Sequence, residues 1–201
     1  MKVCIVGSSG LIGRNICDNL LKNQFKVIGI SRKNSEVNKN FKHIKLDIEN
    51  DELTYKIIKI VNESDVIIFC LNKKERPKNL EYDINKLIFY HVFFPLRLLK
   101  KLSLKKRKII IINSDAIISK KSNFHYTLTK MISGTLVKFS KELINDKNEM
   151  TSLILDRFKD KNSSKKNQLF ELINFIIKTK TNLYTGKNVL VYDNKNYIMS
   201  L

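Results

Sequence analysis

The chain has 201 residues and a mass of 23.5 kDa, enough for one domain with a buried core. Its hydrophobic content of 43% is ordinary for a globular protein, and 38 lysines and arginines against 19 acids give a net charge of +19. The excess is mostly lysine spread over the predicted surface helices, and the dense cluster Lys100-Lys101 and Lys105-Lys106-Arg107-Lys108 follows a helix end, where cations suit exposed carbonyls. We read it as a solvated basic surface, compatible with anionic small molecules such as nucleotides and not indicative of nucleic acid. The longest apolar stretch, Phe89 to Leu99, is interrupted by His91, Pro95 and Arg97 and falls short of the roughly 20 residues of a membrane span. Lys2-Val3-Cys4-Ile5-Val6 runs directly into a glycine loop, with no cleavage-like region of a signal peptide. Cys4, Cys17 and Cys70 have neither metal nor redox spacing, so the expectation is no metal and three reduced, buried thiols in a cytoplasmic protein.

In chain order, Lys2 to Val6 reads as a buried strand, and Leu11, Ile12, Ile16, Leu20 and Leu21 recur at helical spacing. Phe25 to Ile30 is a second strand and His43 to Leu46 a third. Asp51 opens a helix carrying Leu53, Ile57, Ile58 and Val61, and Asp65 to Cys70 is an almost wholly apolar fourth strand. A long helical segment follows from about Tyr82 to Leu102, with Pro95 as a kink or local restart. Lys108 to Asn113 is the fifth strand, Phe124 to Ile144 a helix and Thr151 to Leu155 the sixth strand. Gln168 to Ile177 is a helix, and Val189 to Tyr192 is the last strand. Strands alternating with helices predict an α/β protein with a doubly wound parallel sheet of about seven strands. With no repeat or linker to divide it, residues 1–201 form a single domain.

The loop Gly7-Ser8-Ser9-Gly10-Leu11-Ile12-Gly13 lies between a strand and a helix. In that setting Gly7 allows the tight turn, Gly10 the approach of a pyrophosphate, and Gly13 close helix packing, while the helix start at Leu11 and Ile12 offers N–H groups to phosphate. The spacing departs from the common G-x-G-x-x-G pattern; its setting supports it. At the end of the second strand stands Ser31-Arg32-Lys33 and no acid. Arg32 suits the 2′-phosphate of NADP, with NAD as the alternative.

Ser114, at the end of the fifth strand, sits twelve residues before the Tyr126 of Tyr126-Thr127-Leu128-Thr129-Lys130. With the glycine loop, Ser114, Tyr126 and Lys130 resemble the short-chain dehydrogenase/reductase superfamily in residue type, order and spacing, over nearly the whole chain. The resemblance implies a Rossmann-type fold that binds NAD(P). It also implies cofactor contacts from Gly7, Ser9, Gly10, Leu11, Ile12, Gly13, Ser31, Arg32, Tyr126 and Lys130, from Asp47 and Ile48 beside the adenine, and from Cys70, Leu71 and Asn72 after the fourth strand. Thr185-Gly186 and Val189 to Asp193 look like the end of its compact members. Tyrosine titrates near pH 10, so a lysine one helical turn away would favour its phenolate while serine orients the substrate oxygen.

A fourth catalytic residue, asparagine, is expected in the long helix. Asn85 has the spacing of compact members, but His91 to Leu99 resembles the N-V-x-x-P-x-x-L-L of the epimerase/dehydratase branch, with His91 in place of asparagine. The proline-glycine expected after the sixth strand is replaced by Asp156-Arg157-Phe158, and about thirty residues up to Thr185 leave no room for a large substrate lobe. His125 reads as a surface histidine. The expected function is NADP-dependent reduction or oxidation of a small carbonyl/alcohol or sugar-derived substrate, bordered by the loop after the fifth strand and by Asp156 to Asn167. The alternatives are an epimerase/dehydratase-like activity or a non-catalytic NADP sensor. Phe89, Tyr90, Phe93 and Phe94 add the expectation of a homo-oligomer, a dimer or tetramer.

Overall fold

The computed structural model describes residues 1–33, 40–48, 51–71, 80–114, 124–139, 142, 148–155, 163–179, 183–192 and 195–199. The strands are β1 (Lys2–Val6), β2 (Lys26–Ser31), β3 (Phe41–Lys45), β4 (Val66–Phe69), β5 (Lys108–Ser114), β6 (Glu149–Leu155), β7 (Lys187–Tyr192) and β8 (Lys195–Met199). The helices are α1 (Leu11–Lys22), α2 (Asp51–Glu63), α3 (Leu80–Ile88), α4 (Phe94–Leu99), α5 (Phe124–Lys138) and α6 (Ser163–Lys178). One sheet holds every strand in the order β3-β2-β1-β4-β5-β6-β7-β8. The first seven are parallel, as the sequence predicts, and β8 pairs antiparallel with β7. The sequence reading gave no eighth strand.

Successive strand residues point to opposite faces, so continuous apolar runs fill two cores. On one face Val3, Ile5, Ile68, Ile110 and Leu153 pack with Ile16 and Leu20 of α1 and Leu169 and Ile173 of α6. On the other, Cys4, Val6, Ile67, Phe69 and Ile109 pack with Ile57 and Val61 of α2, Phe94 and Leu98 of α4, and Val137 of α5. Cys4, Cys17 and Cys70 are buried free thiols, and burial pushes Cys4 and Cys17 up to about 12.

The long helix anticipated through Pro95 is three segments. α3 leads into a π-helical turn, Phe89–Phe93, in which the Phe94 N–H donates to the Phe89 carbonyl five residues back, and α4 restarts with Pro95 in its first turn. Proline has no N–H to give to the carbonyl of residue 91, which favours such a reset. Tyr90 and Phe94 are buried and Phe89 is half-buried, so of the four aromatic residues only Phe93, 56% exposed, contributes open apolar surface. Among the described residues no helix is long and apolar enough to cross a membrane.

The basic cluster is largely engaged in the fold. Arg107 is buried and donates to the carbonyls of Ser103, Lys105 and Asn62 and to the Ser103 hydroxyl. Lys105 pairs with Asp65 at 2.6 Å and Lys106 with Glu149 at 2.8 Å, while Lys108 donates to the carbonyls of Ile176 and Thr179 at the end of α6.

Candidate active site

β2 lies on one side of β1 and β4 on the other, so the chain reverses its direction of travel across the sheet at β1. Ligands of open parallel sheets bind beyond the carboxyl ends of the strands at such a point. The glycine loop sits there. Gly7 adopts φ +90°, and a Cβ on it would lie 2.6 Å from the Cys70 carbonyl oxygen at the end of β4. Both facts require glycine. A Cβ on Gly13 would lie 2.2 Å from the Gly7 carbonyl oxygen, so α1 rests directly on the loop backbone. Gly10 differs: its Cβ would meet only the Gly7 oxygen, at 3.4 Å, and it caps α1 without a side-chain hydrogen bond. The space over Gly10 and the uncapped helix start fit a phosphate group. Leu11 is exposed, and Ser9 and Ile12 are half-buried around that start.

At the end of β2, Ser31 is buried and Arg32 and Lys33 are exposed. The Ser31 hydroxyl donates to the Lys33 carbonyl at 3.1 Å and lies 2.8 Å from His43 Nε2 on β3. His43 was not singled out in the sequence, because only the β2–β3 pairing brings it to Ser31. Asp47 is exposed and Ile48 buried beyond β3; Cys70 is buried and Leu71 half-buried beyond β4. Asn72, residues 115–123 and residues 156–162 lie outside the described residues.

The second cluster stands where β5 ends and α5 begins. Ser114 and Tyr126 are half-buried, while Lys130 is 3% exposed. Lys130 Nζ lies 5.6 Å from the centre of the Tyr126 ring. The Lys130 backbone is tied to the sheet by the buried Asn113, whose amide nitrogen donates to its carbonyl at 3.1 Å and whose Oδ1 accepts the Ser114 N–H at 3.0 Å. Asn113 is a positioning element that the sequence reading missed; an asparagine closing an apolar strand was the available signal. Burial pushes the Lys130 amine down to about 7, with the Cys70 thiol acting weakly in the other direction.

The structure separates the two candidates for the fourth residue. Asn85 is exposed on α3. His91, on the π-helical turn, is 4% exposed, with Nδ1 3.2 Å from Lys130 Nζ and its ring edge-on to Tyr126 at 6.1 Å. His125 is half-buried with its ring against Phe124 at 5.6 Å. A small cleft lined by Lys108, Glu149, Thr151 and Tyr184 lies at the opposite, amino-terminal edge of the sheet, away from these groups. No cluster of three metal-ligating side chains occurs among the described residues.

The family model for the NAD dependent epimerase/dehydratase family matches residues 3–134, which run from β1 through the glycine loop to Tyr126 and Lys130. The chain belongs to this family. Among solved structures this family member is similar to a short-chain dehydrogenase from Leptospira borgpetersenii with bound NAD+, at 18% identity and a TM-score of 0.76 over 94% of this chain and 90% of that one. A glucose/ribitol-type short-chain dehydrogenase/reductase from Brucella melitensis is 14% identical, with a TM-score of 0.78 over 94% of each chain. A 4-hydroxyisoleucine dehydrogenase complexed with NADH and succinate is 18% identical, with a TM-score of 0.77 over 94% of this chain and 96% of that one. The shared fold is that of the short-chain dehydrogenase/reductase superfamily. No curated protein matches the chain.

Proposed function

We propose that this family member is an oxidoreductase that uses a nicotinamide dinucleotide, NADP in preference to NAD, to interconvert a small carbonyl and its alcohol. The observation that carries the reading is the buried Lys130 amine 5.6 Å from the Tyr126 ring, at the same carboxyl-terminal edge of the sheet as the Gly7–Gly13 cradle. The NAD+ and NADH held by two structural neighbours support the cofactor class. The glycine loop and the start of α1 would hold its phosphates, and Arg32 the 2′-phosphate. When bound, the nicotinamide supplies or accepts a hydride.

The chain's own residues manage the proton. The Tyr126 hydroxyl gives a proton to the substrate oxygen in reduction and takes it back in oxidation. Lys130, as an ammonium, favours the phenolate that remains and would hold the cofactor's ribose. Ser114, held through Asn113, orients the substrate oxygen by hydrogen bonding. The one helix described between β6 and β7 agrees with a small substrate.

The test is NADPH oxidation against a panel of carbonyl compounds. Tyr126→Phe keeps the ring, so NADPH binding is expected to persist while turnover falls roughly 10²–10⁴-fold. A variant as fast as the parent overturns the proton-transfer role, and a parent that binds NADPH but reduces nothing supports the sensor alternative. Arg32→Ala should weaken NADPH more than NADH, by roughly 1.5–3 kcal/mol for a charged hydrogen bond. Equal losses for the two cofactors, or a parent that prefers NADH, reject NADP.

A further inference from the structure

His91 is a titratable ring in the protein interior that the proton transfer described above leaves unused. It stands on the π-helical turn, and Lys130 reaches it from α5. Together with Tyr126 the two side chains form a triangle: Nδ1 to Nζ at 3.2 Å, His91 ring to Tyr126 ring at 6.1 Å, and Nζ to the Tyr126 ring at 5.6 Å. His91 Nε2 has no hydrogen-bond partner among the described residues.

The protonation states follow from the donor inventory. Below about pH 7 Lys130 is an ammonium, which only donates, so there the imidazole accepts at Nδ1 and carries its hydrogen on Nε2. Two cations 3.2 Å apart in the interior are excluded by their repulsion and by the loss of solvation. Building on the reading of Lys130 given above, we propose that His91 is the positioning residue of Lys130. It is a neutral imidazole that accepts a hydrogen from Nζ and fixes a single positive charge beside the Tyr126 ring.

Burial, reinforced by Lys130, holds His91 well below the ordinary histidine range, which keeps it neutral. Its acceptor nitrogen opposes the effect of burial on Lys130, because a hydrogen bond to the charged form favours that form. Among the described residues the other titratable groups facing the couple are the Cys70 thiol, from the end of β4, and the Tyr126 phenol on α5. Among the described residues no carboxylate offsets the burial of either partner.

The chain has three histidines, His43, His91 and His125, so imidazole nitrogen NMR of the cofactor-free protein is assignable by single substitutions. His91 is expected as the Nε2–H tautomer, neutral to well below pH 6.5, the ordinary histidine midpoint. Its Nδ1 resonance is expected to move in one step near pH 7, as Lys130 titrates, and that step is lost in Lys130→Met. An Nδ1–H tautomer below pH 7, protonation near an ordinary histidine midpoint, or an Nδ1 resonance indifferent to Lys130→Met overturns the proposal. In the carbonyl assay His91→Asn, which keeps an acceptor, should stay close to the parent, while His91→Leu should lose roughly 10²-fold, the scale of a catalytic group displaced by about 1 Å. A His91→Leu variant equal to the parent, beside an inactive Tyr126→Phe, overturns the positioning role alone. If Tyr126→Phe also matches the parent, the proton-transfer reading has failed, and the NMR result decides for or against His91.

Discussion

Lys130 is an amine held where solvent hardly reaches, and its two states have opposite consequences for folding. Burial lowers it to about 7, against about 10.4 for a free lysine. Between those values the unfolded chain keeps a proton that the native protein has released, so stability rises with pH across that window and is flat below it. Lys130→Met removes this dependence. The variant is expected to be more stable than the parent at pH 7 and below, by at least about 1 kcal/mol, since each tenfold loss of proton affinity on folding costs roughly 1.4 kcal/mol, with the difference shrinking toward pH 10. It should also lose turnover and bind NADPH more weakly. Thermal melts across pH check the first part; a difference independent of pH would contradict the buried amine. At this scale the sequence singled out Ser114, Tyr126 and Lys130 as candidates, because the pattern that points to them is one of local spacing. It left His91 and Asn85 open and missed Asn113 and His43. The contacts of His91, Asn113 and His43 depend on which elements become neighbours, and no local spacing contains that.

Among the elements, the parallel strands were legible from apolar runs, since a strand covered on both faces needs no polar alternation. Boundaries moved where tertiary pairing extends them: β3 begins at Phe41, which is buried against β2, and β6 begins at Glu149 beside Lys106. Pro95 announced an interruption, but not that the interruption takes the form of a π-helical turn that carries His91 inward. β8 escaped notice because Lys195-Asn196-Tyr197-Ile198-Met199 has too little apolar pattern without its partner. The packing of α1 on the glycine loop is the element most open to test. In Gly13→Ala the new methyl would meet the backbone of Gly7 and Ser8, at 2.2 and 3.0 Å, and neither can swing aside. A loss of about 1–3 kcal/mol is expected, read as a melting temperature lower by several degrees, together with weakened NADPH binding. An unchanged melting temperature would show that the helix does not rest on the loop as described.

Across the whole molecule, the two edges of the sheet are treated differently. β3 is short and has outward-facing Lys42 and Lys45, whereas β7 is closed by β8 through five pairs from Asn188↔Met199 to Tyr192↔Lys195. The backbone groups of a parallel strand left uncovered would offer a template to any extended chain, including another copy of itself. With β8 in place, that edge of β7 is paired and is not open to such a chain. Truncation after Asp193 should leave the remote glycine loop able to bind NADPH at first, while the protein drifts into large particles on standing. Light scattering over hours, at equal concentration with and without residues 194–201, measures that drift. Equal, constant particle sizes would show that β7 is safe without its cover; growth only in the shortened chain would make the last strand the guard that keeps this lysine-rich protein from becoming a fibre.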